Sequence, residues 1–590
     1  MRAASGKWSA VKRAFCDSTM LEHFLALVAS TSAGAPFQLS NTLGSHAVLQ
    51  PPVVIWGLGT PGASVRTTVS GSVLPIAAAT TLVGADGIWR QPLSVVDQGL
   101  APVVITSSSE GATVTISDVL VGRVFLCSGQ SNIDLVTVSK AFNATEELAA
   151  VVNFPNVRTA QAARRHAWSG PLMDAPMLSQ NWSLPTPTNI ATFSATCWFA
   201  ARDLFQELGG KTAVGVFQSS YGGTAVRNWV PTSALAACSQ PWSGQQPYGY
   251  NPYTHSTLYN GMIAFLGTGP TKFQFVVWDQ AESDSFPQTL PGYYGCQTLG
   301  HVNSWRALLD DSLLPWLFVH LQPYTGSESN CNAVEKSAAT LWGDSLAELR
   351  HAQLSALQLP NVGYASAVDL GDSSSPYGDV HFQNKQTIAE RLIDAARAVA
   401  FGGAKDASYP AAAFYSQVPA QAGAGMEGAV RCQMTVRLKR PITGLTGAAR
   451  RSVGAGAVKF SLSMGATPDP GTVGNTSAVC PFSEGDVLAQ NCSGFQLLCT
   501  TPEVPHNTSN PAIWVAATAT IGADEESVVL TAVPSAAAAL VARGSRYAWS
   551  AWPLATLFAN PGHDHLKWLP VLPWNQGLTC TNGAEVGAPC

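Results

Sequence analysis

Val124-Phe125-Leu126-Cys127-Ser128-Gly129-Gln130-Ser131-Asn132 joins four apolar residues to a polar turn containing glycine. An unbroken apolar run bounded by turn residues reads as a strand buried on both faces, the kind that parallel sheets are built from. The turn at its end can lift a serine hydroxyl from the sheet edge into a cleft. Similar runs follow at Val214–Phe217, Phe273–Trp278, Leu317–Leu321 and Val362–Val368. Helical periodicity fills the intervals: Trp198, Ala201, Phe205 and Leu208 share one face, and Ile388, Leu392, Ala396 and Val399 share another. Parallel strands need such crossovers, so residues 119–404 are expected to form an α/β domain with a parallel sheet.

The flanks have another texture. From Val48 to about Ser117 the short runs Val53–Trp56, Val65–Val69, Val103–Thr106 and Val114–Ser117 alternate with Gly, Pro and Ser, which predicts a small β-sandwich-like domain over 36–118. Beyond Gly403 helical periodicity fades, and Met434–Leu438, Val458–Met464, Ile513–Ala516 and Ser527–Val533 predict a second β domain over 405–560. Residues 561–590 form a tail, expected to be tied by disulfides, and 1–35 an N-terminal or signal segment in which Phe24–Ala29 is a short apolar run before small residues. No run reaches the ~18 apolar residues of a membrane helix.

Composition excludes several classes. Of 590 residues 46% are hydrophobic and 12% charged, with 52 Gly and 38 Pro, which rules out disorder and coiled coils. A net charge of −5 with no basic stripe excludes nucleic acid as a partner. Twelve cysteines without paired CxxC spacing point to disulfides and away from a zinc site. Sequons begin at Asn143, Asn181, Asn475, Asn491 and Asn507. Both features fit a glycoprotein made in an oxidising compartment, secreted or held in a lysosomal or other endomembrane lumen.

Ser131 is the candidate nucleophile. A serine hydroxyl is weak at its free pKa and needs a base within hydrogen-bond reach. His381, in Gly378-Asp379-Val380-His381 before a helix that starts near Lys385, can supply it. Acyl transfer also needs donors aimed at a developing oxyanion. Ser219-Ser220-Tyr221-Gly222-Gly223-Thr224 offers backbone N–H groups, and the Gln280 amide in Trp278-Asp279-Gln280-Ala281-Glu282-Ser283 offers a side-chain donor. An orienting group for His381 is required, because an unheld imidazole adopts the wrong tautomer. Asp379 is the first choice, with Asp372, Asp369 or a backbone carbonyl as alternatives.

Together these loops, in this order, resemble the sialate O-acetylesterase family, a branch of the SGNH hydrolases. The resemblance runs over nearly the whole chain, through VIWGLGTPGASV near Val54, CSGQSN, FNAT at Phe142, QSSYGGT at Gln218, LYNGMIAFL at Leu258, WDQAES, SWR at Ser304, the segment Asp369–Lys385 and RYAW at Arg546. It implies a three-layer α/β/α domain and hydrolysis of O-acetyl esters on sialic acids, without metal or cofactor. The motif serine falls on Ser131, the histidine on His381 and the oxyanion groups on Gly223 and Gln280. Asn132, Gly222 and Glu282 are expected to support them, Glu282 through hydrogen bonds. The family's Gly, Asn, Met and Pro are replaced by Ala281, Asp284, Ile133 and Phe382. Ala281 would crowd its loop if that position needed a positive φ.

A sialate carboxylate calls for a bidentate guanidinium, for which Arg306, Arg350 and Arg227 are the candidates. Arg227 stands where the family often carries an acidic residue. The substrate expected is an acetylated sugar or glycan. A xylan or other polysaccharide deacetylase, and a silent glycan-binding homologue, are the rival readings. Two apparent motifs carry no function: Gly57–Gly62 fits GxGxxG but its Pro61 and the β-like run after it make it a hairpin turn, and His563-Asp564-His565 lies in a loop after Asn560-Pro561-Gly562.

Overall fold

The computed structural model describes residues 36–402 apart from 96–98, 239–254, 270, 286–290, 325–344 and 373. Beyond 402 it describes only the strands 413–419, 432–439, 459–462, 495–500, 513–516, 518–521, 527–532, 541–547, 557–560, 569–570 and 574–576. His563-Asp564-His565 and the sequons at Asn475, Asn491 and Asn507 lie outside the described residues.

The first strands are β1 (Gln38–Leu39), β2 (Val48–Leu49), β3 (Val53–Leu58), β4 (Ser64–Ser70), β5 (Ala79–Leu82), β6 (Ile88–Leu93) and β7 (Val103–Ser109). β1, β3 and β6 form one antiparallel sheet, while β4 pairs with β5 and β7. β3 and β4 therefore belong to different sheets, and Gly57–Gly62 is a connection between them; a hairpin would require the two strands to pair. The next strand, β8, runs unbroken from Ala112 to Gly129. Its first part pairs antiparallel with β7, and from Gly122 onward it pairs parallel with β11 (Ala213–Ser220). The expected boundary between 118 and 119 thus falls inside one strand.

The central sheet adds β9 (Val157–Ala162), β10 (Leu178–Ser183), β12 (Phe275–Asp279), β13 (Trp316–His320) and β14 (Val362–Ser366) in the order β10-β9-β11-β8-β12-β13-β14. All neighbours are parallel except the edge strand β10. The apolar runs are continuous because alternate side chains serve two cores. Phe125 and Cys127, Phe275 and Val277, and Leu317 and Val319 face one core. Val124 and Leu126, Val276 and Trp278, and Trp316 and Phe318 face the other.

Helices cover both faces. α2 (Ala195–Glu207) and α5 (Lys385–Val399) bury Trp198, Phe199 and Leu204 with Ile388, Leu392 and Ile393 in the first core. α3 (Pro291–Leu308) and α4 (Ser345–Gln353) bring Val302, Trp305, Leu346 and Leu349 to the second. A disulfide joins Cys127 at the end of β8 to Cys197 on α2, and a second joins Cys238 to Cys296. Cross-links of this kind stabilise a fold by about 2–4 kcal/mol each. The strands beyond 402 pair antiparallel, among them 413–419 with 432–439 and 495–500 with 541–547.

β8 comes first in the chain yet lies between β11 and β12, so strand order reverses around it. In open parallel sheets ligands bind at the carboxyl ends of the strands beside such a reversal. The CSGQSN turn stands there.

Candidate active site

Gly129 ends β8 at φ 145°, and a Cβ on it would lie 2.1 Å from the Asp279 carbonyl oxygen of β12. Only glycine permits this approach. Gln130 N–H then donates to the same carbonyl (2.9 Å), and a short helix α1 (Ser131–Asp134) begins. Ser131 is its first residue, half-buried, and its N–H belongs to a turn with no earlier carbonyl to accept it.

Glu282 ties the strand-end loops together. Its carboxylate accepts from the side chains of Gln130 and Asn132, from Gln322 Nε2 (3.0 Å) and from the Ala281 N–H (3.1 Å). Asn132 and Gln322 each also donate to the Val380 carbonyl, at 3.0 and 2.9 Å. The loops after β8, β12, β13 and β14 thereby meet around one carboxylate. Glu282 and Asn132 are both buried in this network. Lys385 Nζ donates to Asn132 Oδ1 (2.7 Å) and sits 3.4 Å from the centre of the Phe382 ring. Burial lowers the Lys385 pKa and raises that of Asp279, a second buried carboxyl group behind the turn.

Ser131 and His381 each lie one residue from this bridge, since Asn132 Nδ2 bonds the Val380 carbonyl. The His381 loop closes through its N–H to the Gly378 carbonyl (2.8 Å), with Gly378 at φ 89°, and through the Ser375 hydroxyl to the His381 carbonyl (2.6 Å). His381 Nδ1 lies 2.6 Å from the Tyr377 carbonyl oxygen. A carbonyl only accepts, so Nδ1 carries the proton and neutral Nε2 keeps its lone pair. Nε2 is buried without a hydrogen-bond partner, so the bond to the Ser131 hydroxyl is not formed here. Such bonds are often open in unliganded enzymes.

The orienting partner of Nδ1 is therefore a backbone carbonyl, the last of the expected alternatives. Asp369 is taken up by Arg391, at 2.7 and 2.9 Å, and Asp372 Oδ1 accepts from the N–H and hydroxyl of Ser374. Asp379 is half-buried next to Gly378, two residues before the ring.

Among the expected oxyanion donors Gln280 is spent. It is fully buried, its amide donates to the Thr224 carbonyl (3.0 Å) and Asp284 (2.7 Å), and Tyr294 donates to its oxygen (3.0 Å). Gly222 N–H is likewise taken, by Asp134 Oδ2 at 2.9 Å. Gly223, exposed at φ 72°, stands at the loop tip.

The four departures are accommodated. Ala281 has φ 168°, extended backbone open to any residue, so no positive φ is required. Asp284 pairs with Arg227 (3.2 Å) and accepts from the Val226 N–H (2.8 Å). Burial raises its pKa, and the Arg227 charge works against that rise. The two unusual residues at 227 and 284 thus compensate each other. Ile133 and Phe382 are buried in the core. None of the three arginines expected to read a carboxylate is presented for it. Arg306 donates to the Leu314 and Pro360 carbonyls and Arg350 to those of Leu321 and Gln322, while Arg227 is buried against Asp284. Sequence reading missed the pair Arg164–Asp134 beside Gly222, because neither residue stands in a recognisable motif.

The family of carbohydrate esterases described as sialic acid-specific acetylesterases matches residues 121–397. The sialate O-acetylesterases of Pongo abelii and Homo sapiens are each 32% identical over 405 residues, spanning 64% of this chain and 74% of theirs. The chain belongs to the sialate O-acetylesterase family. A carbohydrate acetylesterase from Xanthomonas citri shares the fold, with a TM-score of 0.66 at 24% identity over 92% of this chain and 99% of that one. As a member of the sialate O-acetylesterase family the protein is an ester hydrolase, a carbohydrate acetylesterase with an acetylated sugar as substrate. Among the described residues no helix is long and apolar enough to cross a membrane.

Proposed function

We propose that the protein hydrolyses O-acetyl esters of sialic acids, 9-O-acetyl esters foremost, through an acetyl-Ser131 intermediate. The observation that carries this reading is the His381 ring, whose Nδ1 is fixed on the Tyr377 carbonyl while Nε2 stays unpartnered. Nε2 takes the Ser131 proton as the oxygen attacks the acetyl carbonyl, and the ester C–O bond breaks as the same proton passes to the departing sugar oxygen. Water, deprotonated by Nε2, then releases acetate and restores the serine. The Gly223 and Ser131 N–H groups hold the oxyanion in place of Gln280, each such donor being worth about 2.7–4 kcal/mol. Glu282, Asn132 and Gly222 hold the loops and do not attack.

Residues 119–404 serve as the SGNH-type α/β/α unit, with 36–118 and 405–560 as β domains, 561–590 as a tail and 1–35 as an export segment. Two disulfides and exposed sequon asparagines at Asn143 and Asn181 support passage through an oxidising, glycosylating route to a lysosomal or extracellular site.

Acetate release from 9-O-acetyl sialate, acetylated xylan and p-nitrophenyl acetate tests the reading. The sialate is expected to give the highest kcat/KM, and Ser131→Ala is expected to lower turnover of every ester by at least about 10³-fold. Full activity in that variant would exclude Ser131, and a preference for xylan would move the substrate to the polysaccharide class.

A further inference from the structure

Beside the nucleophile turn stands a group of side chains that the reaction above does not use. Asp134, the last residue of α1, has a side chain only 5% exposed. It accepts from the Gly222 N–H (2.9 Å), the Ser220 hydroxyl (3.3 Å), Arg164 Nε (3.1 Å) and Arg164 Nη2 (2.8 Å). Arg164, with 53% of its side chain exposed, lies 5.7 Å from the centre of the Tyr221 ring. One edge of its guanidinium is thus fixed, through Nε and Nη2, on a side chain that is otherwise half exposed. Arg165 is exposed beside it. The His166 ring then stacks on Trp168 (5.5 Å, 24° between planes) and meets Tyr221 (5.3 Å). Trp168 is 61% exposed.

Three rings therefore run from solvent to Tyr221, the residue before Gly222. The exposed indole offers an apolar face that continues through His166 to the loop beside the nucleophile turn. Sugar rings suit such a ledge, because one face carries C–H bonds that pack on an aromatic ring while the hydroxyls point away. A guanidinium anchored on a buried carboxylate with an edge to spare is set for a second planar anion. Asp134 offsets one charge, and Arg165 leaves the ledge net positive.

We propose that Arg164, Arg165, His166, Trp168 and Tyr221 form the sugar subsite of this esterase and select an acidic sugar. The sugar stacks on Trp168 and His166, and its carboxylate takes the free edge of Arg164. The proposal rests on the reading of Ser131 as nucleophile, since it places the sugar next to that residue.

The test compares KM for 9-O-acetyl-N-acetylneuraminate with KM for its carboxyl methyl ester, which removes the negative charge alone. The wild type is expected to favour the acid by about tenfold, the scale of one charged hydrogen bond at a partly exposed site. Arg164→Gln collapses that ratio to near unity, whereas Trp168→Ala raises KM for both esters equally. A ratio retained in Arg164→Gln, or near unity in the wild type, overturns the assignment. Arg164→Lys, which keeps the charge opposite Asp134, gives an intermediate ratio and replaces Arg164→Gln if that variant fails to fold. Calorimetric titration with the methyl glycoside of N-acetylneuraminate reads the subsite without turnover. Wild-type protein that cleaves neither ester yet binds the glycoside in an Arg164-dependent way fails only the nucleophile reading; no binding at all refutes the subsite.

Discussion

Tyr377 serves His381 through its main-chain oxygen, and that changes what the neighbouring carboxylates are expected to do. Where an aspartate alone sets the tautomer, its amide analogue costs about 10⁴ in kcat. Here the carbonyl at 2.6 Å already fixes the proton on Nδ1, so Asp379→Asn is expected to keep kcat within about tenfold of wild type. Steady-state rates on p-nitrophenyl acetate decide this, and a fall of three orders of magnitude would return the orienting role to Asp379. Ser131 and His381 could be proposed from sequence because a motif marks each. For Gln280 and the three arginines a sequence lists donors without saying what they already bond. The Gln280 amide donates to Thr224 and Asp284, Arg306 to the carbonyls of Leu314 and Pro360, and Arg350 to those of Leu321 and Gln322. The open edge of Arg164 had no signal, since its meaning comes from Asp134, 30 residues away.

At the level of strands and helices much more could be read directly. Continuous apolar runs gave the positions of β8, β11, β12, β13 and β14, because a strand covered on both faces has no polar side to interrupt it. The helix faces of α2 and α5 followed from their spacing in the same way. What could not be read was where β8 begins, for its early residues alternate as a half-exposed strand and its later ones do not, although the hydrogen bonding is continuous. Its last residue is the most constrained. Gly129→Ala would drive a methyl group into the Asp279 carbonyl, and the expected outcome is loss of soluble, active protein. Thermal unfolding measures this; a variant with unchanged Tm would show that β8 and β12 can separate there without cost.

At the scale of the whole molecule, two histidines among the described residues are sealed in the interior. His301 is enclosed by Trp278, Trp305 and Trp316 with neither ring nitrogen partnered, and burial lowers its pKa to about 3; burial also lowers that of His320 to about 3. Unfolded histidine titrates near ~6.5. Below that pH the unfolded chain takes protons that the folded chain refuses, so this contribution is absent above 6.5 and destabilises increasingly as pH falls towards 3. The limiting slope is about 1.4 kcal/mol per pH unit for each ring. Buried Asp279 and Asp284 act in the opposite direction, their raised pKa values favouring the fold as pH falls. The informative quantity is therefore the difference between wild type and His301→Phe, measured by urea unfolding at pH 7.5 and 5. The gap is expected to move in favour of the variant at the lower pH, and an unchanged gap would place the proton elsewhere. β8 has a consequence at this scale too. A beam shared by two rooms cannot be sawn between them: cutting away 36–118 would remove β2, β7 and the start of β8 itself, stripping partners from the strand that presents the serine.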